Sequence, residues 1–279
     1  MAGSIEDIVM QYGSRGMNTL YPFLPKESYR KAAEDILKLS RGNFPVTTGF
    51  YAKGAGETDG PLGAWILIQV FEKLGFLPIL VTDQYTYYYF SGEKVKCVRV
   101  PLRNSREYNK ILSMETILGR LNPVGMLSVE RCGKNGDGDY TNMKGESIGI
   151  HTAPIDELFE LAPKYGIKTF GIGDGGNEIG MGKLSEEISR YLSLSPCIVK
   201  TDHLLIATVS NWAAYGLGRA LEVVSGKHLM PPVNDLKYFF DRIVRMGSVD
   251  GITGENTMTV DGFPQGKEVE MYLEILSFS

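Results

Sequence analysis

Cysteine and histidine are scarce, with three of each in 279 residues. Cys97, Cys132 and Cys197 stand far apart and form no C-x-x-C pair, which predicts reduced thiols in a cytoplasmic protein. His151, His203 and His228 lie in no H-E-x-x-H pattern and beside no cysteine cluster, which argues against a zinc site built from nitrogen and sulfur. Basic tracts are missing as well. Lys and Arg number 29 against 33 Asp and Glu, and a net charge of −4 argues against a nucleic-acid partner. No apolar run reaches the ~18 residues of a membrane span. The N-terminus "MAGSIEDIVMQ" is acidic and amphipathic, unlike a secretion signal. Neither a membrane nor an exported destination is expected.

What remains is globular: 43% hydrophobic and 22% charged residues. At this length folding buries roughly three quarters of the unfolded surface, enough for a core without staples. Short apolar or β-branched runs at 45–49, 77–83, 96–100, 124–129, 168–173 and 204–209 read as strands. Helix-period segments separate them at 61–75, where Pro61 takes a first-turn position, and at 106–120, 154–166, 183–192 and 211–225. Strands alternating with helices predict a Rossmann-like, three-layer α/β fold, with a mostly parallel sheet and helices on both faces. We expect one domain over 1–279. Residues 1–44 would supply two helices packed on the outside, 247–265 a functional loop flanked by helices near 234–246 and 265–276.

Acidic residues follow strand after strand. In a parallel sheet all carboxyl ends share one edge, where ligands bind, so these acids should converge. "GIGDGGNEIGMG" (171–182) satisfies G-x-G-x-x-G, yet the acid that completes a dinucleotide site would fall near Pro196, where there is none. Asp174 and Glu178 would also repel a pyrophosphate. No dinucleotide is expected, and the loop reads as a cation binder through Asp174, Asn177 and Glu178. "GAGETDGPLG" (54–63) repeats the recipe with Glu57 and Asp59. Helix capping is the competing explanation for these acids. An all-oxygen donor set suits Mn²⁺ or Mg²⁺, with Ca²⁺ also admissible. "NGDGDYTNMKGE" (135–146) spaces its oxygens like a calcium loop but puts Tyr140 where that turn demands glycine, so it reads as a polar turn or a cleft lining. The aromatic "QYTYYYF" (84–90) reads as packing rather than a substrate wall. Lys53 and Lys183, beside glycine-rich loops, are candidates for an anionic substrate, joined by Thr48 at a strand end and Asn211 at a helix start. Arg131 and Lys134 read as solvated surface.

"TTGFYAKGAGETDGPLGA", "SVERCGKNGDGDYTNMKG", "GIGDGGNEIGMG" and "TVDG" together resemble the C-terminal domain of D-glutamate cyclase and its stand-alone relatives, over about 45–265. The resemblance implies a hydro-lyase that converts D-glutamate to 5-oxo-D-proline and water, on a Rossmann-like fold with a polar cleft. In animal cyclases a further hydro-lyase-like N-terminal domain is also present. On chemical grounds a metal held by Glu57, Asp59, Asp174, Asn177 and Glu178 would polarise the γ-carboxylate, Glu130 or Asp83 would act as base, and Lys53 would bind the α-carboxylate. Two alternatives stay open: a metal-dependent hydrolase such as a phosphatase, and a non-catalytic metabolite- or metal-binding module. The expected partner is a small acidic metabolite.

Overall fold

A computed structural model describes residues 3–13, 15–108 and 113–279. Helices α1 (Ile5–Val9), α2 (Met17–Leu20) and α3 (Ser28–Lys38) lead into strand β1 (Asn43–Thr48). A two-residue-per-strand hairpin, β2 (Tyr51–Ala52) and β3 (Ala55–Gly56), precedes α4 (Pro61–Lys73) and β4 (Leu77–Thr82). Short α5 (Gln84–Tyr87) is followed by β5 (Lys96–Arg99), α6 (Met114–Leu121) and β6 (Gly125–Val129). Then come α7 (Asp156–Leu161), β7 (Lys168–Gly173), α8 (Ser185–Tyr191), β8 (His203–Ile206) and the long α9 (Ser210–Ser225). The chain ends with α10 (Val233–Arg245), the small pair β9 (Thr259–Val260) and β10 (Phe263–Pro264), and α11 (Gln265–Ser277).

The expected α/β architecture is present. Six strands form one sheet in the order β5-β4-β1-β6-β7-β8, and every neighbouring pair in it is parallel. Every expected strand lies within two residues of its predicted start. The last leaves the sheet early, because the chain turns at Ala207 toward α9. Among the described residues the first forty hold three α-helices instead of two, since Gly13, Gly16 and Pro25 interrupt the helical pattern. They are also less peripheral than expected. α3 packs against α9, and the buried Tyr29 hydroxyl donates to the Ile206 carbonyl at 3.0 Å. The predicted helix at 106–120 survives as α6, while 109–112 lie outside the described residues. Among the described residues no helix is long and apolar enough to cross a membrane.

The strand order has one consequence for function. The chain winds outward from β1 through β4 to β5 on one side, and from β6 through β7 to β8 on the other. Between β1 and β6 the winding reverses, and a switch point of this kind is where open α/β sheets place their ligands. Pro45 sits in this central β1 without disrupting it, in the gap between the Asn43–Pro123 bridge and the Val46–Leu127 pair.

Two helices frame that switch point. α4 is apolar nearly all round, as a helix enclosed between a sheet and other helices must be. It packs along α9, and the two approach closely because Gly63 has no side chain. A Cβ there would lie 2.5 Å from the Ala214 Cβ and 3.2 Å from the Asn211 Cα. Gly63→Ala raises helix propensity by about 1 kcal/mol, but overpacking at such a contact costs about 1–3 kcal/mol. Net destabilisation in urea denaturation is the expected outcome. A more stable variant would show that the helix contact is looser than described.

Candidate functional site

The carboxyl edge gathers acids from four separate loops. Asp59 precedes α4, Glu130 follows β6, and Asp174 follows β7. One carboxylate oxygen from each lies within 4.8 Å of the other two, and all three residues are buried. Glu57 and Asp261 are also buried and raise the carboxyl pKa values of this group through their charge. Thr48, at the end of β1, places a buried Oγ1 without a partner next to Gly60 and Glu130.

Hydrogen bonds between α4 and α9 hold the arrangement. The Ser210 and Asn211 backbone N–H groups, at the start of α9, donate to Asp59 at 2.9 and 2.8 Å. In return the Asn211 amide oxygen accepts from Gly60 and Gly63 N–H, at the start of α4, at 2.9 and 2.8 Å. Each helix is capped by the other's loop, and so both N-termini point at the acids. The Ser210 N–H also reaches the Asp174 Oδ2 at 3.0 Å, and the Ser210 hydroxyl donates to Glu130 at 2.5 Å. Capping thus accounts for part of what Asp59 and Asp174 do. It leaves the Asp174 Oδ1 buried with no partner.

Among the described residues, one cation faces these acids. Arg15, from the segment between α1 and α2, donates from Nη2 to Asp174 at 2.7 Å, to the Thr208 carbonyl at 3.0 Å, and to Asp261. Burial works against its charge, but Asp174, Asp261, Glu130 and Asp59 together hold it firmly protonated. The acids are pushed the other way. Burial, then the neighbouring charges, raises Glu57, Glu130 and Asp174 far above ordinary carboxyl values. Asp59 and Asp261 are raised to about 7, again first by burial. Five carboxyls against one guanidinium leave negative charge that a hard cation or an ammonium group would neutralise. The unpartnered Asp174 Oδ1 and the all-oxygen donor set fit a divalent ion of the Mg²⁺, Mn²⁺ or Ca²⁺ kind.

Backbone strain gathers in the same place. Arg15, Glu130 and Asp261 all have positive φ, at 52°, 44° and 51°. Such a conformation costs a side-chain-bearing residue about 1–3 kcal/mol and persists where surrounding contacts impose it. Glycine is needed at Gly60, where φ is 93° and a Cβ would lie 2.7 Å from both Glu130 Cβ and Thr48 Oγ1.

The glycine-rich loop after β7 works differently from its sequence. Its Gly175 and Gly176 N–H groups, which a pyrophosphate would need, both donate to the Glu178 carboxylate at 2.8 Å. The loop thus turns these two N–H groups onto a side chain of its own, just after Asp174. Asn177 donates to the Thr141 carbonyl at 2.6 Å and keeps a buried, unpartnered Oδ1. The calcium-like segment 135–146 uses its oxygens locally: Asn135 accepts from Asp137 and Asp139 N–H, and Asn142 from Lys144 and Glu146 N–H.

Of the residues expected at the site, Asp59, Glu130 and Asp174 come together, with Glu57, Thr48 and Asn211 around them. Others lie apart. Asp83 caps α5 through Tyr85 N–H at 3.0 Å and pairs at 2.6 Å with Arg131, which is buried and not solvated. Lys53 is exposed and donates to the Thr253 carbonyl at 2.7 Å. Lys183 donates to the Asp202 carbonyl at 2.6 Å, beside Thr169 at the opposite, amino-terminal edge of the sheet. Two site residues went unnoticed in the sequence. Asp261 had a signal, since "TVDG" stood out as a motif. Arg15 had none beyond its flanking glycines.

A family model described as "D-glutamate cyclase-like, C-terminal" matches residues 5–276, nearly the whole chain. The human protein named "D-glutamate cyclase, mitochondrial" is 31% identical over 233 residues, which is 76% of this chain. That match covers 37% of the human protein, so the chain spans well under half the length of this relative.

The charge balance gives a pH-dependent expectation. Asp59 and Asp261 titrate near 7 in the fold, above their unfolded value. Their contribution to stability is therefore full below about pH 4 and is lost as pH rises through 7. Melting temperature in EDTA should fall between pH 5 and pH 8. Added Mn²⁺ or Mg²⁺ should restore it, by about 2.7 kcal/mol at a hundredfold excess over Kd, and more at pH 8 than at pH 5. Asp174→Asn should remove most of that response. Stripped protein that ignores Mg²⁺, Mn²⁺ and Ca²⁺ alike would leave the acids without a cation role.

Proposed function

The chain belongs to the D-glutamate cyclase-like family, and from that premise we propose that it is a divalent-cation-dependent lyase that closes D-glutamate to 5-oxo-D-proline and water. The observation that carries this reading is the convergence of Asp59, Glu130 and Asp174, buried together at the switch point of the sheet. Asp59 and Asp174 would hold the ion, with Glu57 alongside and Glu130 left to act on the substrate. When bound, the ion supplies Lewis acidity toward the γ-carboxylate, for which Mn²⁺ or Mg²⁺ is the natural choice.

The chain's own residues handle the protons. Closure forms a bond between the α-nitrogen and the δ-carbon and breaks one δ-carbon–oxygen bond. Of the three ammonium protons, one stays on the new amide and two leave with the oxygen as water. Glu130 is suited to take a proton from the ammonium, because its carboxyl is buried, faces the cluster and is oriented by the Ser210 hydroxyl. Asp83 is less suited, since Arg131 and the Tyr85 N–H occupy its two oxygens. Burial of the acids keeps competing water away from the reacting atoms. Three free thiols, two of them buried, support a reducing and, on our reading, cytoplasmic setting. The phosphatase alternative draws no support from the family or from the human relative, and a phosphate dianion would meet acids rather than bases here.

Metal-loaded protein incubated separately with D-glutamate, L-glutamate and a chromogenic phosphoester tests this. The expected result is 5-oxoproline from D-glutamate, abolished by EDTA and reduced by about 10²–10⁴ in Glu130→Gln, the usual loss for a general base. Cation-dependent phosphate release with no 5-oxoproline from either enantiomer would overturn it. Saturable binding of D-glutamate without turnover would point instead to a non-catalytic binding module.

A further inference from the structure

An acidic amino acid brings anions as well as an ammonium, and the acidic cluster has little to offer an anion. The N–H groups at the starts of α4 and α9 and in the loop after β7 are taken. Those of Gly60 and Gly63 serve Asn211, those of Ser210 and Asn211 serve Asp59 and Asp174, and those of Gly175 and Gly176 serve Glu178. Lys53 is engaged with Thr253 on an exposed hairpin, and Lys183 lies at the far edge of the sheet. Arg15 is different. Only its Nη2 is engaged, by Asp174, Asp261 and Thr208. Its Nε is buried without a partner, and no described residue accepts from Nη1. A guanidinium carries five donors in a planar fork that matches a carboxylate. Here two acids and a carbonyl clamp one arm of the fork and leave the rest unmatched. The residue is held in place by the left-handed turn at Arg15 and Gly16.

We propose that Arg15 is a specificity-determining residue that receives the α-carboxylate of the substrate, with Asp174 and Asp261 as the clamp that positions it. The inference rests on the acidic-amino-acid reading of the site. It assigns the N-terminal segment a part in recognition, where a purely neutralising Arg15 would have none. An ammonium on the acids and a carboxylate on Arg15 orient the α-carbon between them.

Isothermal titration of metal-loaded protein with D-glutamate and with 4-aminobutanoate, its analogue lacking the α-carboxylate, separates the roles. Wild type should bind D-glutamate at least tenfold more tightly. Arg15→Lys keeps the charge but loses the fork, and should weaken D-glutamate binding by about 10–100-fold, the loss of a charge-assisted hydrogen bond. Its affinity for 4-aminobutanoate should stay unchanged. Arg15→Gln should behave alike, with melting curves confirming that both variants fold. Equal effects on the two ligands, no effect on either, or a wild type that binds neither would overturn the assignment. Selective loss in the variants, in a protein that forms no 5-oxoproline, would retain Arg15 as the carboxylate site and remove only the cyclase reading.

Discussion

A carboxylate taken out of water needs a cation, a proton or a set of N–H donors, and the carboxyl edge of this sheet holds more acids than it has donors for. The surplus organises the rest of the site. Glu178 is satisfied by its own loop, Asp59 by the start of α9, and Asp83 by a buried arginine. Glu130, Asp174, Glu57, Asp261 and, despite those two N–H groups, Asp59 face one guanidinium among the described residues, and all five are pushed toward protonation. Without a partner such a cluster would be a plain loss of stability. A cation held there would offset that loss.

The fold makes the surplus possible by rigidity. The reversal of winding between β1 and β6 sets the place, and the exchange of caps between Asp59 and Asn211 sets the geometry. Gly63 allows α4 and α9 to come close enough for that exchange, and Gly60 lets the chain pass over Glu130 and Thr48. The strained backbones of Arg15, Glu130 and Asp261 show that the surroundings, not local preference, decide where these side chains point.

Much of this was legible in the sequence, because the periodicities of strand and helix are local. The six strands, α4, α9 and α11 could be read from spacing, and convergence of the strand-end acids followed from parallel topology alone. Asp59, Glu130 and Asp174 were accessible by that route. Arg15 was not, since it comes from more than a hundred residues away from Asp174 and Asp261 and no spacing links them. Asp83, Arg131 and Lys183 show the same limit in reverse. A charge beside a strand end looks alike in sequence whether it faces the acidic cluster, a buried ion pair or the other edge. The glycine-rich loop was readable as unsuited to a pyrophosphate, but that Glu178 fills its N–H groups depends on a turn only the structure displays.

The central claim is that the three converging carboxylates are a cation receptor. Anomalous diffraction from crystals soaked in Mn²⁺ addresses it directly. The account predicts a peak at about 2.0–2.6 Å from oxygens of Asp59 and Asp174, beside Glu130, with the now unpartnered Asp174 Oδ1 among the ligands. No peak at the cluster under saturating Mn²⁺, or one confined to the 135–146 loop, would contradict it.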